Sequence, residues 1–161
     1  MTVIVSLVVA LALFAVAYVS RRRFGIVGLA LAAGSLLAGY MTKDLSKLIA
    51  QYGIPVEPLS AISAASIILT LLPAFVLLFG GPHYKKRNDA MVGAVGFAVM
   101  AMLLILEPLT SSLPPDRLMQ PFLNWVSSYS SVLLAVVVAA AVVDAWTIHV
   151  APPPEELKKK K

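Results

Sequence analysis

The chain has 161 residues, of which 60% are hydrophobic and 13% charged, and its mean hydropathy is +0.89. A soluble domain of this length cannot bury so much apolar side chain in one core, so the composition excludes an ordinary water-soluble protein and points to the membrane. The formal charge of +5 falls in three basic clusters beside long apolar runs, which suits lipid headgroups, and the lack of cysteine excludes disulfides, thiolate nucleophiles and zinc–thiolate sites.

In chain order, apolar runs at 2–19, 24–41, 59–79, 90–109 and 132–150 predict five membrane-spanning helices in a single domain, followed by a Pro- and Lys-rich tail at 151–161. At 1.5 Å rise per residue each run covers the roughly 30 Å hydrocarbon core. The runs lack the alternation of barrel strands, and only helices satisfy their own backbone in lipid, so the predicted fold class is an all-α polytopic bundle. Residues 20–23 leave room only for a tight antiparallel turn between the first two spans. "GGPHYKKRND", residues 80–89, joins the third and fourth, and three prolines end the fifth.

Ten of the thirteen basic residues fall on one side of such a bundle: Arg21, Arg22 and Arg23, then Lys85, Lys86 and Arg87, then the four lysines of the tail. Lys43, Lys47 and Arg117 fall on the other. The positive-inside rule therefore predicts a cytoplasmic C-terminus, an external N-terminus and residence in the cell membrane. A four-span alternative treats the first run as a cleaved signal, since "AVA" at 15–17 resembles a cleavage site. Against it, no basic region precedes the run and the arginines would have to be exported. The arginine cluster thus reads as a headgroup and topology anchor. No interleaved aromatics or nucleic-acid-binding motif accompany it, and "GIVG" lacks the spacing of a phosphate loop, so no nucleic-acid partner is expected.

Gly25, Gly28, Ala32, Ser35 and Gly39 recur at spacings of three and four and form one stripe on the second span. Helices in lipid associate through close van der Waals contact, which small residues allow, so the stripe predicts a packing seam. A second row runs through Ala90, Gly93, Ala94, Ala98 and Ala101, and a looser one through Ser6, Ala10, Ala17 and Ser20. On the third span Ser63, Ser66 and Thr70 share a face with Pro73, which deprives the Leu69 carbonyl of its helical donor and predicts a kink.

Asp144 and His149 lie near the cytoplasmic end of the fifth span. An acid there either pairs with an arginine of the 20–23 turn or a loop lysine, or serves a transport path together with Ser66, Thr70 and Pro73. Trp146 reads as an interface residue. Glu107 can reach water at the outer end of the fourth span. His83 and His149 are separate and lack a carboxylate pair, so no metal site is expected, and no motif for a cofactor or for nucleophilic or metal-dependent hydrolysis is present. Residues 43–58 and 115–131 carry apolar side chains at helical spacing and predict short interfacial helices.

The hairpin turning on basic residues, the third span, the basic loop and an Asp-to-Gly helix start together resemble the colicin V production protein family. "RRRFGIVG" and "RNDAMVGAVG" carry the likeness, with Asp89 and Gly93 at the family's Asp and first Gly, mostly within residues 1–110. Gly96 stands one position earlier than in the family pattern, and a fifth span is added. The resemblance implies a small inner-membrane protein involved in export or envelope maintenance. The sequence as a whole predicts a non-enzymatic assembly or scaffold subunit, acting as a homo-oligomer or with another membrane protein, with a small transporter or channel as the alternative.

Overall fold

The computed structural model of the chain describes residues 2–57, 59–80, 84, 87–112 and 120–150, with 2–3 and 148–150 described by their backbone. Five helices follow in order: α1 (Thr2–Ser20), α2 (Phe24–Gln51), α3 (Ala61–Gly80), α4 (Arg87–Ser112) and α5 (Gln120–Val150), with no strand among the described residues. Helices α2, α3, α4 and α5 are each long and apolar enough to cross a membrane, whereas the described apolar stretch of α1, Ile4–Ser20, is slightly shorter. The chain is a helical membrane protein.

Helix α2 is the centre of the bundle. It packs most extensively on α3 and also carries α5 and part of α4, while α1 lies against α4 and scarcely meets α3. The core runs from Leu13 and Ala17 of α1 through Val27 and Leu31 of α2 to Ala74 and Leu78 of α3. Phe97, Met100, Ala101 and Ile105 of α4 and Ala141 of α5 complete it. Small side chains alternate with large ones here, which brings backbones close where lipid supplies no hydrophobic drive.

Helices α2 and α3 approach each other closely at Gly34. A Cβ there would overlap the Thr70 carbonyl oxygen and stand 3.0 Å from the Leu69 carbonyl oxygen. Leu69 is the residue whose carbonyl Pro73 leaves without its i+4 donor. Helix α3 nevertheless stays helical from Ala61 through Pro73 to Gly80. The glycine brings α2 backbone directly onto the turn that the proline frees.

Two elements are longer than their apolar runs predict. Helix α2 continues without a break through "MTKDLSKLIAQ" to Gln51, and α5 starts at Gln120 rather than at 132. The short interfacial helices expected within 43–58 and 115–131 are therefore, over 43–51 and 120–131, extensions of α2 and α5, while 115–119 lie outside the described residues. No glycine or proline interrupts 40–51, and Pro121 sits in the first turn of α5, where its missing N–H costs nothing.

Candidate functional site

Three ends of the chain's helices converge on the turn at residues 20–23. The turn is closed by Arg21, which adopts φ 50° and whose N–H donates to Ala17 O at 3.1 Å, so that α1 ends in a left-handed cap built on a non-glycine residue. Its carbonyl accepts the Tyr84 N–H at 2.9 Å, which ties the loop after α3 to the turn. Arg22 turns towards the end of α3. Its Nε donates to Leu78 O at 3.0 Å and its Nη2 to Phe79 O at 2.8 Å, satisfying carbonyls that the helix end leaves open.

The start of α2 has no cap of its own, because Arg23 occupies the N-cap position and makes no capping bond. Residues from two distant elements supply it instead. The Phe24 N–H donates to Tyr84 Oη at 3.1 Å, the Gly25 N–H donates to Asp144 Oδ2 at 2.7 Å, and the Tyr84 hydroxyl donates to the same Oδ2 at 3.0 Å. A carboxyl at a helix N-terminus meets both the open N–H groups and the positive end of the helix dipole. The Asp144 carboxylate, delivered by α5, thus supplies the capping bond that the Arg23 side chain does not.

Glycines make this geometry accessible. At Gly25 a Cβ would overlap the Ala145 backbone nitrogen and stand 2.5 Å from Ala141 O, so any larger residue would push α5 and its carboxyl away. At Gly93 of α4 a Cβ would stand 2.5 Å from Cε2 of Tyr84, so the ring lies flush on α4 there. Gly96 borders the Phe24 ring at 3.3 Å. Burial pushes the Tyr84 phenol up from 10.0 to about 12; the Asp144 carboxyl adds to the rise, and the Phe24 N–H and the Arg23 cation oppose it. The phenol is therefore held as a donor across the physiological range.

Arg23 stacks over the Tyr84 ring, 5.7 Å from its centre, and its Nη1 donates to Thr147 Oγ1 at 3.3 Å. Thr147 Oγ1 in turn donates to Asp144 O at 2.7 Å. The arginine of the turn and the acid of α5 therefore come together without an ion pair, joined through Thr147 and Tyr84. Arg23, Tyr84, Asp89, Val92, Asp144 and Thr147 line a polar opening of about 290 Å³ at this end. Beside it, Arg87 donates from Nε to Tyr18 Oη at 2.7 Å, linking the start of α4 to α1.

The opposite end has its own polar junction. Ser60 caps α3 by accepting the Ser63 N–H at 3.1 Å, and Ser112 of α4 donates to Ser63 Oγ at 2.8 Å and accepts the Ser60 N–H at 3.0 Å. Between α4 and α5 an open crevice of about 490 Å³ is lined by Glu107, Thr110, Ser111, Ser127 and Ser130 together with apolar residues.

The small-residue stripe of α2 divides. Gly25 and Gly28 lie against α5, with Ala141 Cβ 3.1 Å from a Cβ placed on Gly28, whereas Ala32 and Ser35 are half-buried and Gly39 faces open space. Ala90, Gly93, Ala94 and Ala98 are all buried on α4. On α3, Thr70 is buried and Ser66 and Pro73 half-buried, and none of the three approaches Asp144 at the basic end. Arg21, Arg22, Arg23 and Arg87 share one end of the bundle. Lys85, Lys86, His83, Arg117, the tail and the side chain of His149 lie outside the described residues. Among the described residues no group of three His, Asp or Glu side chains is placed to hold a metal.

Sequence reasoning missed Tyr84 and Gly34. Tyr84 is the one aromatic residue in a loop of glycine, proline and basic residues, and that isolation was its signal. Compared with known proteins, the chain matches no family model, no curated protein and no solved structure.

Proposed function

We propose that this protein is a non-enzymatic assembly or scaffold subunit of the cell membrane, with its basic end in the cytoplasm, and that α5 is the helix through which it joins a second copy or another membrane protein. The supporting observation is how α5 is attached. Only 11% of its most apolar stretch is buried inside the bundle, against 39–44% for α2, α3 and α4. It is held at the basic end by Ala141, Asp144 and Ala145, and at the other by Val126.

Along the free side, Ser128, Ser131, Ala135, Ala139, Val142 and Trp146 are exposed and recur at spacings of three and four. That row is narrow and small enough for close helix–helix contact. Trp125 and Trp146 are both exposed and lie 21 positions apart, about 31 Å of helix, which matches aromatic belts at the two faces of one bilayer. Work in export or envelope maintenance accords with the resemblance of residues 1–110 to the colicin V production family.

The second reading, a small transporter, draws on the polar crevice at Glu107 and the polar opening at Asp144, at opposite ends of the loosely packed α4–α5 pair. Cysteine cross-linking at Ala139 in native membranes, followed by reconstitution into liposomes, separates the two. A covalent dimer or a discrete co-purified complex without solute flux supports the scaffold. Saturable flux abolished by Glu107→Gln, with no complex, replaces it by the transporter.

A further inference from the structure

Helices α4 and α5 meet only lightly, and at the end opposite the arginine turn they part around an open crevice of about 490 Å³. That volume exceeds what a bare ion fills and lies within the range of small-molecule sites. Part of its wall is apolar, formed by Leu103 and Leu106 of α4 and Leu123 and Val126 of α5. Val126 is buried and the three leucines half-buried, so this wall is built into the bundle.

The polar part of the wall is one-sided in its chemistry. Glu107 is the only charged side chain among the described lining residues, and no described residue bonds to its carboxylate. The hydroxyls around it have their protons committed elsewhere. Thr110 Oγ1 donates to Leu106 O at 2.9 Å, and Ser130 Oγ donates to Ser127 O at 3.0 Å. Ser111 Oγ donates to Pro108 O at 2.9 Å, or its proton goes to Ser63 Oγ at 3.1 Å. Each therefore offers the crevice oxygen lone pairs and no proton. A carboxylate and acceptor oxygens beside an apolar wall call for a ligand that brings positive charge and N–H donors on an apolar body.

We propose that the α4–α5 crevice binds one small organic ammonium ion, a primary amine carried on an apolar group, with the ammonium at Glu107, Thr110 and Ser130 and the apolar group against Leu103, Leu106 and Leu123. The carboxylate supplies a charge-assisted hydrogen bond, roughly twice as strong as a neutral one. The hydroxyl oxygens accept the remaining N–H groups, so a methylated ammonium fits less well. Ser127 and Ser130 line the crevice, whereas the free row of α5 runs through Ser128, Ser131 and Ala135, so the site does not rest on the scaffold reading. It stands whether or not the ligand crosses the membrane.

The test is equilibrium binding of radiolabelled phenethylammonium to the full chain in nanodiscs of zwitterionic lipid, with empty nanodiscs as the baseline. The expected result is saturable binding of one equivalent, competed at least about tenfold less well by the neutral phenethyl alcohol and less well by the trimethylammonium derivative. Glu107→Gln, at an exposed position, should weaken binding at least about tenfold, and Glu107→Asp should keep the preference for the cation. Ser127→Phe fills the crevice from an exposed position and should abolish binding while the helical circular dichroism is unchanged. If Glu107→Gln disturbs the end of α4, Ser127→Phe decides. Equal competition by either analogue, or undiminished binding in both Glu107→Gln and Ser127→Phe, would overturn the proposal. So would binding that appears only after Arg117→Gln, which would make the chain's own cation the occupant.

Discussion

Asp144 of α5 caps α2 at Gly25, across 119 residues of sequence, with its Oδ2 2.7 Å from the Gly25 nitrogen. The bond joins the last helix to the central one at the point where α2 has no cap of its own. Replacing Asp144 with Ala leaves the Gly25 N–H and the Tyr84 hydroxyl without their acceptor, and the expected cost is about 1–3 kcal/mol. Asp144→Asn keeps an acceptor oxygen but loses the charge that favours the helix dipole, so a smaller loss is expected. Reversible unfolding in mixed micelles measures both. Equal stability of Asp144→Ala and the native protein would show that α5 is not held by this bond.

Tyr84 gives the junction a pH dependence at the alkaline end. The fold holds the neutral phenol, whose pKa is raised from 10.0 to about 12. The unfolded chain loses this proton near pH 10 while the folded protein keeps it, so the contribution of Tyr84 to stability is complete below pH 10 and is lost as pH rises through about 12. Absorbance of phenolate should therefore show a late titration step, and Tyr84→Phe should remove it. The same variant deprives the Phe24 N–H of its acceptor and is expected to cost about 1–2 kcal/mol at neutral pH.

Much of this bundle was legible in the sequence, for reasons that differ from part to part. Apolar runs of membrane length mark the four long helices because lipid demands continuous helix, and basic residues mark the end where Arg21 to Arg23 and Arg87 meet. The helix ends beyond the hydrocarbon were harder: the apolar spacing of Leu45, Leu48 and Ile49 marks a helix but not its continuity with the span, and α2 runs on there because no glycine or proline stops it. That Asp144 would lie beside the 20–23 turn was foreseeable from charge and depth, although it forms no ion pair with an arginine of that turn. Its actual partner, a backbone N–H, was not foreseeable, since a main-chain donor leaves no mark in the sequence. Gly34 escaped because it lies off the stripe of Gly25 and Gly28; which side of α2 meets α3 is set by tertiary packing.

The clustering of the basic residues makes orientation a direct measurement. Single cysteines at Ser46, in the extension of α2, and at Asn88, in the first turn of α4, lie at opposite ends of the bundle. In intact cells, an impermeant thiol reagent should label position 46 and spare position 88 until the membrane is opened. Labelling of position 88 alone would invert the protein, and labelling of both would remove the membrane barrier between them.

Gly34 and Gly39 provide a matched pair on one helix. At Gly34 even a methyl group would collide with the Thr70 carbonyl, a rigid backbone atom in the turn that Pro73 leaves without its usual bond. Gly39, five residues on, has nothing within 4 Å of a Cβ. Gly34→Ala must therefore move α2 off α3, and an overpacking cost of about 1–3 kcal/mol is expected. Gly39→Ala gains helix propensity without meeting a neighbour and should be neutral or stabilising by up to about 1 kcal/mol. Adding Pro73→Ala to Gly34→Ala restores the donor to Leu69 but should leave the collision in place, because Thr70 supplies it. Unfolding of the three variants in one detergent mixture orders them. If Gly34→Ala proves as stable as Gly39→Ala, the α2–α3 contact is not the close seam on which the centre of the bundle is built.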